Sequence, residues 1–404
     1  MKDGLNPKLF REHLEWLEDI IDKRSRARDN EFRVLQSYPG HSGFHSYVGV
    51  FSSRIIEDIR LRQEVASVEE DQIVRFPKFV AEEVSQSLTK RTPHLTTQQK
   101  VPWNLWAISH RHAPTSLIPG FINDKYHLDS SGGLLPSGLS YTYKYLSDAE
   151  AEPDTYAYVI DTGIRTSHEE FEGRAEHVWT CWETYEDDSG HGTHVAGIIA
   201  SKSYGVVKNA RLLSVKVTKD NAAWTSQVLG AIHWTVNDIL EKNRTKSAVI
   251  NISQGIAFSG VVNAAINNAF LTRDIITVVA AGNQGIDASE RSPGSAEHAI
   301  TVGSIDSSWR VAETSNFGKS VSIFAPGRNI LSLSKESDSA TVVSSGTSMA
   351  APHVAGLVLN AMTVWGKRGG GLKAFLLETA TKGQIKGNLR GSPNLLANNN
   401  IDSI

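Results

Sequence analysis

From about Val101 onward, short runs of Val and Ile recur with few polar interruptions: TYAYVI, RLLSVKV, SAVINIS, IITVVAA and AITVGS, starting at Thr155, Arg211, Ser247, Ile275 and Ala299. Runs of this length without alternation predict strands buried on both faces. Between several of them lie stretches that read as helices, His191–Ser203, Thr225–Asn243 and Val261–Arg273. Strand and helix taking turns predict an α/β fold, a mostly parallel sheet flanked by helices. One segment breaks the pattern. Pro114–Gly138 is rich in Gly, Pro and Ser, carries no clear period, and reads as a surface excursion.

The N-terminal part is patterned differently. Phe10, Leu14, Leu17, Ile20 and Ile21 sit at helical spacing, and Phe44–Ser52 alternates as a strand does. Ile55–Gln63 is helical again, and Val65–Phe76 ends in a strand. These predict a small α+β domain over residues 1–84. Ser85–Lys100 then turns polar around Pro93 and reads as an exposed linker, leaving residues 101–404 for the α/β domain.

Composition adds exclusions. The chain has 404 residues, 40% hydrophobic and 21% charged, with a formal net charge of -3. Nothing here attracts nucleic acid or an anionic membrane, and no apolar run approaches the roughly 18 residues of a bilayer span. The single cysteine, Cys181, cannot form an intrachain disulfide, so stability must come from the core. The opening residues read as a charged amphipathic helix and not as a secretory signal. A monomer is expected, and no cofactor.

The candidate chemistry sits at strand ends, where open α/β sheets place functional groups. Asp161 follows AYVI directly; alone, it could simply cap a turn. His191 opens a helix between Gly190 and Gly192, which allow close backbone approach. His191 and His194 at i, i+3 could suggest a metal pair, but no HExxH or cysteine cluster accompanies them, so His194 reads as structural. Ser348 follows Gly346 and Thr347 at a helix start, where unpaired N–H groups favour negative charge. In the order Asp, His, Ser these supply an orienting carboxylate, a base and a nucleophile. Asn283, preceded by Gly282 after IITVVAA, is the right type for an oxyanion donor. An esterase of the G-x-S-x-G class would need a different motif and order.

With VIDTGI, GHGTHVAG, AAGN and SGTSMAAPHVAGL in this order, the chain resembles the subtilisin-like serine proteases, in their proteinase K-like branch, from about Trp103 to Asn400. The resemblance implies a serine endopeptidase with Asp161, His191 and Ser348 as triad and Asn283 as oxyanion donor. It implies that Ser253, Gln254 and Gly255 pair with bound peptide. The N-terminal domain resembles the family's propeptide, an intramolecular inhibitor removed on maturation, without its first strand. The family is usually secreted, so the N-terminus leaves two readings, an incomplete gene model or an intracellular enzyme.

Departures from the branch are also informative. Gln254-Gly255-Ile256 stands where Leu-Gly-Gly is usual, and DNAAW (Asp220–Trp224) replaces a glycine-rich segment, so Trp224 is expected to restrict the substrate. Ser322 stands where proteinase K holds calcium with an Asp, so no metal is implied. A catalytically silent binding protein, its groove blocked by Trp224 and an unreleased N-terminal domain, is the alternative.

Overall fold

A computed structural model describes residues 1–2, 4–24, 32–40, 43–76, 78–80, 82–84, 95–99, 101–112, 142–146 and 155–401. The N-terminal unit contains α1 (Pro7–Arg24), β1 (Arg33–Tyr38), β2 (Ser46–Val50), α2 (Ser53–Arg60) and β3 (Ile73–Arg75). Its own core is small: Leu17 and Ile21 of α1 meet Ile55 and Ile59 of α2. Ser52 starts α2 by accepting from the Ile55 amide at 3.3 Å, a side-chain cap on an otherwise unpaired first-turn N–H. The strand β1 was not predicted: of Arg33–Tyr38 only Val34 and Tyr38 are even partly covered, and Leu35 is exposed, so no two-residue alternation shows. β1 pairs with β2, whereas β3 pairs outside the unit, so no described strand joins β2 to β3.

Next come β4 (Glu82–Val84), β5 (Leu95–Gln99) and β6 (Thr142–Leu146). Within the stretch read as an exposed linker, residues 95–99 instead form β5, paired with β6 along its whole length. The polar side chains of Thr97, Gln98 and Gln99 hid this, because backbone pairing at a sheet edge needs no apolar residues. Residues 85–94, and the excursion at 114–138, lie outside the described residues.

The large unit follows the predicted alternation: β7 (Tyr156–Asp161), β8 (Ala175–Thr180), α3 (His191–Ala200), β9 (Arg211–Lys216), β10 (Ala222–Trp224), α4 (Thr225–Glu241), β11 (Ala248–Ile252), α5 (Gly260–Arg273), β12 (Ile276–Ala280) and β13 (Ile300–Ile305). The chain closes with β14 (Ile323–Pro326), β15 (Ile330–Leu333), β16 (Thr341–Ser344), α6 (Thr347–Thr363), α7 (Gly371–Thr379), β17 (Thr381–Lys382) and β18 (Leu395–Leu396). Nine strands form one sheet in the order β17-β18-β14-β13-β12-β11-β7-β9-β8, parallel except for β17. Every residue of β11, β12 and β13 is buried, and each large aliphatic side chain so placed contributes about 1.5–3 kcal/mol. One face packs on α3 and α6, the other on α4 and α5.

The strand order reverses at β7, with β11 on one side and β9 on the other. A crevice opens at the carboxyl ends of strands around such a switch point. Asp161 ends β7, Ser253 follows β11 and Gly282–Asn283 follow β12, so the fold itself gathers these candidate groups.

The N-terminal unit docks on α4 and α5 by capping them. Glu69 accepts from Ser259 Oγ at 2.7 Å and the Val261 amide at 2.9 Å, and Asp71 accepts from the Ser226 amide at 2.9 Å and its hydroxyl at 2.6 Å. Both carboxylates meet the positive end of a helix dipole and its unpaired N–H groups. Beside them, His233 of α4 lies between Tyr38 and Phe44 and bonds Ser46 at 3.0 Å. Burial pushes its pKa down to about 3, so it packs as a neutral ring.

Candidate active site

The His191 imidazole lies 2.7 Å, Nδ1 to Oδ1, from Asp161, whose side chain is fully buried. The carboxylate fixes the tautomer: Nδ1 carries the proton and Nε2 is left to accept one. Burial alone would lower the His191 pKa. The charge of Asp161, its hydrogen bond and the charge of Asp187 outweigh that and hold the pKa above the ordinary histidine value. His194, one turn along α3, behaves oppositely. It bonds the carbonyls of Ile330 and Val342 at 3.0 and 3.1 Å, and burial pushes its pKa down to about 3. It ties α3 to the β15–β16 hairpin, in agreement with its structural reading.

The glycines beside His191 have distinct reasons. Gly190 caps α3 at φ 92°, a conformation that a side chain strains. At Gly192 a Cβ would stand 2.0 Å from the Gly163 carbonyl oxygen. Only glycine lets α3 come this close to the turn after β7.

Ser348 is the second residue of α6, after the cap Gly346 at φ 145°. Its hydroxyl donates to the Ser253 carbonyl at 2.7 Å. Both Ser348 and His191 line one cleft, and catalytic hydrogen bonds are often made only with substrate present. Pro352 lies within the second turn of α6, so the backbone bond it removes is one near the helix start.

Asn283 is held by the same helix. Its side-chain oxygen accepts from the Thr347 amide at 2.8 Å and the Thr347 hydroxyl at 2.9 Å. The Thr347 amide can only donate and so requires oxygen on that side, which makes Nδ2 the outward end. Gly346 faces it, and a Cβ there would stand 3.1 Å from Nδ2. Gly282, at φ 104°, lies against Asn316, which is fully buried and bonds the Ala281 carbonyl and the amides of Gln284 and Ile286.

A cleft of about 500 Å³ joins His191, Ser348 and Asn283 with Ser253, Gln254, Gly255 and Gly282. The Gln254 side chain does not enter it as a plug: it is buried and bonds Thr218 Oγ1 at 2.8 Å. Trp224 stands apart, at the end of β10, 41% exposed and outside the cleft lining. Ser322 offers a hydroxyl that accepts from the Thr301 amide at 3.3 Å. Among the described residues no group of three or more His, Cys, Asp or Glu side chains is arranged to hold a metal ion.

The N-terminal unit runs into this cleft. β3 pairs antiparallel with β10, the Phe76 amide donates to Asn221 O at 2.7 Å, and Lys78, Phe79 and Val80 line the cleft. The Phe79 ring stands edge-on to His191, centroids 5.6 Å apart. The chain then crosses to the opposite rim, where β4 pairs antiparallel with β16. An added strand on a rim is a common mode of peptide capture, here satisfied within one chain.

Sequence reasoning missed four supporting residues. Thr347 orients Asn283, Asn316 shapes the loop under Gly282, and Asp187 and Lys216 brace the end of β7. Thr347 stands inside the SGTS motif and was legible from it. Lys216 was not: a lysine in a strand reads as solvent-facing, yet it is 1% exposed and donates to Thr162 O, Thr218 O and Asp188.

Comparison with known proteins agrees with this geometry. Residues 155–392 match the subtilase family and residues 1–77 match peptidase inhibitor I9. The chain is 38% identical to Alkaline protease 1 of Aspergillus oryzae, over 98% of this chain and 89% of that one. It is 39% identical to the alkaline proteinase of Hapsidospora chrysogena, over 99% and 90%. A crystal structure of a cold-adapted subtilisin-like serine proteinase superposes with a TM-score of 0.60 at 30% identity, covering 74% of this chain and 98% of that one. The chain therefore belongs to the subtilase family of serine proteases, with an I9-type inhibitor domain at its N-terminal end.

Proposed function

We propose that Ser348 attacks the carbonyl of a peptide bond in this cleft while His191 Nε2 takes its proton and Asp161 stabilises the resulting imidazolium. The new C–O bond forms an acyl-enzyme, and His191 returns the proton to the departing amine. Water then repeats the sequence and releases the acid. The oxyanion meets two donors, the Ser348 amide at the start of α6 and Asn283 Nδ2. The observation that carries the reading is the convergence of a buried Asp–His pair, a helix-start serine and an oriented Asn on one cleft. Purified enzyme should hydrolyse a peptide p-nitroanilide, and a p-nitrophenyl ester should give a burst of about one equivalent before steady state, since deacylation limits ester turnover. Binding without turnover, in protein freed of residues 1–84, would favour the silent binding protein instead.

The substrate is an extended peptide, with Ser253, Gln254, Gly255 and Gly282 supplying backbone and wall. We expect a monomer without nucleic-acid or membrane partners. Residues 1–84 act as the intramolecular inhibitor, 85–100 as a linker and 101–404 as the peptidase. We place the processing cut between Lys90 and Lys100.

Activity requires neutral His191. Because its pKa is raised, the enzyme should lose activity as pH falls through a value above the ordinary ~6.5. His194 and His353, held down to about 3 and about 4, stay neutral throughout. A kcat/KM profile checks this; a flat line from pH 5 to 8 would remove His191 as the base. Trp224 is expected to restrict side chains a few residues before the cut, so Trp224→Gly should broaden a peptide-library profile. Identical profiles would exclude it from recognition. With Ser322 in place of a carboxylate, chelator should shift Tm by no more than a degree or two.

A further inference from the structure

The Asp187 carboxylate receives an unusual number of donors for a loop acid. Oδ1 accepts from Thr162 Oγ1 at 2.7 Å and from the amides of Ser189 and Gly190 at 3.2 and 2.7 Å, and Oδ2 accepts from the Thr193 amide and hydroxyl at 2.9 and 2.6 Å. These donors come from two separate pieces of the site. Thr162 directly follows Asp161 at the end of β7, whereas Gly190 and Thr193 bracket His191 at the start of α3. Thr162 completes the loop: its hydroxyl accepts from the Gly192 amide at 2.9 Å and its amide donates to Asp161 Oδ1 at 2.8 Å. From below, the buried Lys216 holds the Thr162 carbonyl at 2.6 Å.

We infer that Asp187 is a positioning residue for the reaction, locking Asp161 and His191 in register through Thr162 and the first turn of α3. This inference rests on the triad reading above. The reasons are geometric and electrostatic. A carboxylate saturated by five hydrogen bonds is rigid, and charge-assisted bonds are about twice as strong as neutral ones. A catalytic pair must keep its geometry within about half an ångström. Asp187 also sits at the N-terminus of α3, where its charge meets the helix dipole. It is a second negative charge acting on His191 from outside the Asp161 contact.

The charges around His191 are few. Asp161 comes from β7 and Asp187 from the loop before α3. Lys216 of β9 is engaged with Asp188 and two carbonyls. Lys335 lays its methylene chain over Gly190 while its ammonium pairs with Glu336. The exposed Lys78 enters the cleft only with the N-terminal unit. His194 is neutral. Removing the Asp187 charge should therefore move the acid limb in a definite direction, downward.

The test uses matured enzyme. Asp187→Asn keeps the shape, but its amide nitrogen opposes the Thr193 N–H and its charge is gone. kcat should fall by about tenfold with KM nearly unchanged, because the loss is felt mainly in the transition state. The acid limb of the pH profile should move down by roughly half a unit, the scale of one partly screened charge several ångströms away. Asp187→Glu should return the limb towards its original position even if kcat stays low. Thr162→Val, which cuts the bridge and leaves the charge, should lower kcat and leave the limb in place; this variant decides the matter if Asp187→Asn does not fold. Unchanged kcat in Asp187→Asn or Thr162→Val would overturn the inference. So would a lower Tm and kcat with an unmoved limb in Asp187→Asn, since that describes a residue that only supports the fold. If matured wild-type enzyme takes no fluorophosphonate on Ser348, the triad reading fails and this inference falls with it; wild type that labels there, with kcat unchanged in Asp187→Asn, sinks this inference alone.

Discussion

Ser348→Ala should reduce turnover by about a millionfold and should leave the chain uncut. Removing the nucleophile of a triad costs nearly as much as removing the triad, because base and carboxylate have nothing left to activate. What remains is binding and oxyanion stabilisation, about 10³–10⁴ above water. The same substitution separates self-processing from processing by another protease. Expressed side by side, wild type should give a shortened chain, and Ser348→Ala should stay at the full 44.2 kDa. Phe76, Lys78, Phe79 and Val80 line the cleft in the uncut chain, so a cut in the 90–100 stretch needs that segment to withdraw or a second molecule to act. Dilution distinguishes these: an intramolecular cut keeps its rate, and an intermolecular one slows in proportion. Equal processing of Ser348→Ala in a protease-free preparation would rule out self-cleavage.

Asn283→Ala should lower kcat by about 100–1000-fold with KM little changed. The side chain is anchored through its oxygen to Thr347, so its outward N–H is poised before substrate arrives. Such a donor acts on charge that exists only in the transition state. Asn283→Asp is a useful companion: it keeps both Thr347 bonds but places a negative charge where the oxyanion forms, and should be at least as damaging. A collapse of affinity with turnover preserved would make Asn283 a substrate-binding residue instead.

The sheet and the site were legible to different depths. Strands such as Ala248–Ile252 and Ile276–Ala280 are buried on both faces, so an unbroken Val/Ile run is their direct signature. β14, β15 and β16 are four-residue strands embedded among Ser, Gly and Pro, and no period can emerge over so few positions. β5 is polar because it is an edge pair. Helix ends were misjudged by one to three residues: α3 stops at Ala200, where the run into Ser203 becomes a turn. The candidate catalytic groups stood out through their glycines, since Gly192 and Gly346 mark places where another backbone or side chain comes within contact of a missing Cβ. The groups that hold them did not. Asp187 looks like a turn acid in a run of acids, and its role is visible only once β7 and α3 are brought together. Glu69 and Asp71 likewise read as surface charge until α4 and α5 present their N-termini.

We propose above that Ser348 is an activated nucleophile in a charge-relay site. It is tested most directly by treating matured enzyme with a fluorophosphonate probe and mapping the adduct by mass spectrometry. One adduct per chain is expected, on Ser348, formed faster above the His191 pKa than below it and nearly abolished in His191→Ala. Enzyme freed of residues 1–84 that stays unlabelled, or carries the adduct on another residue, would contradict it.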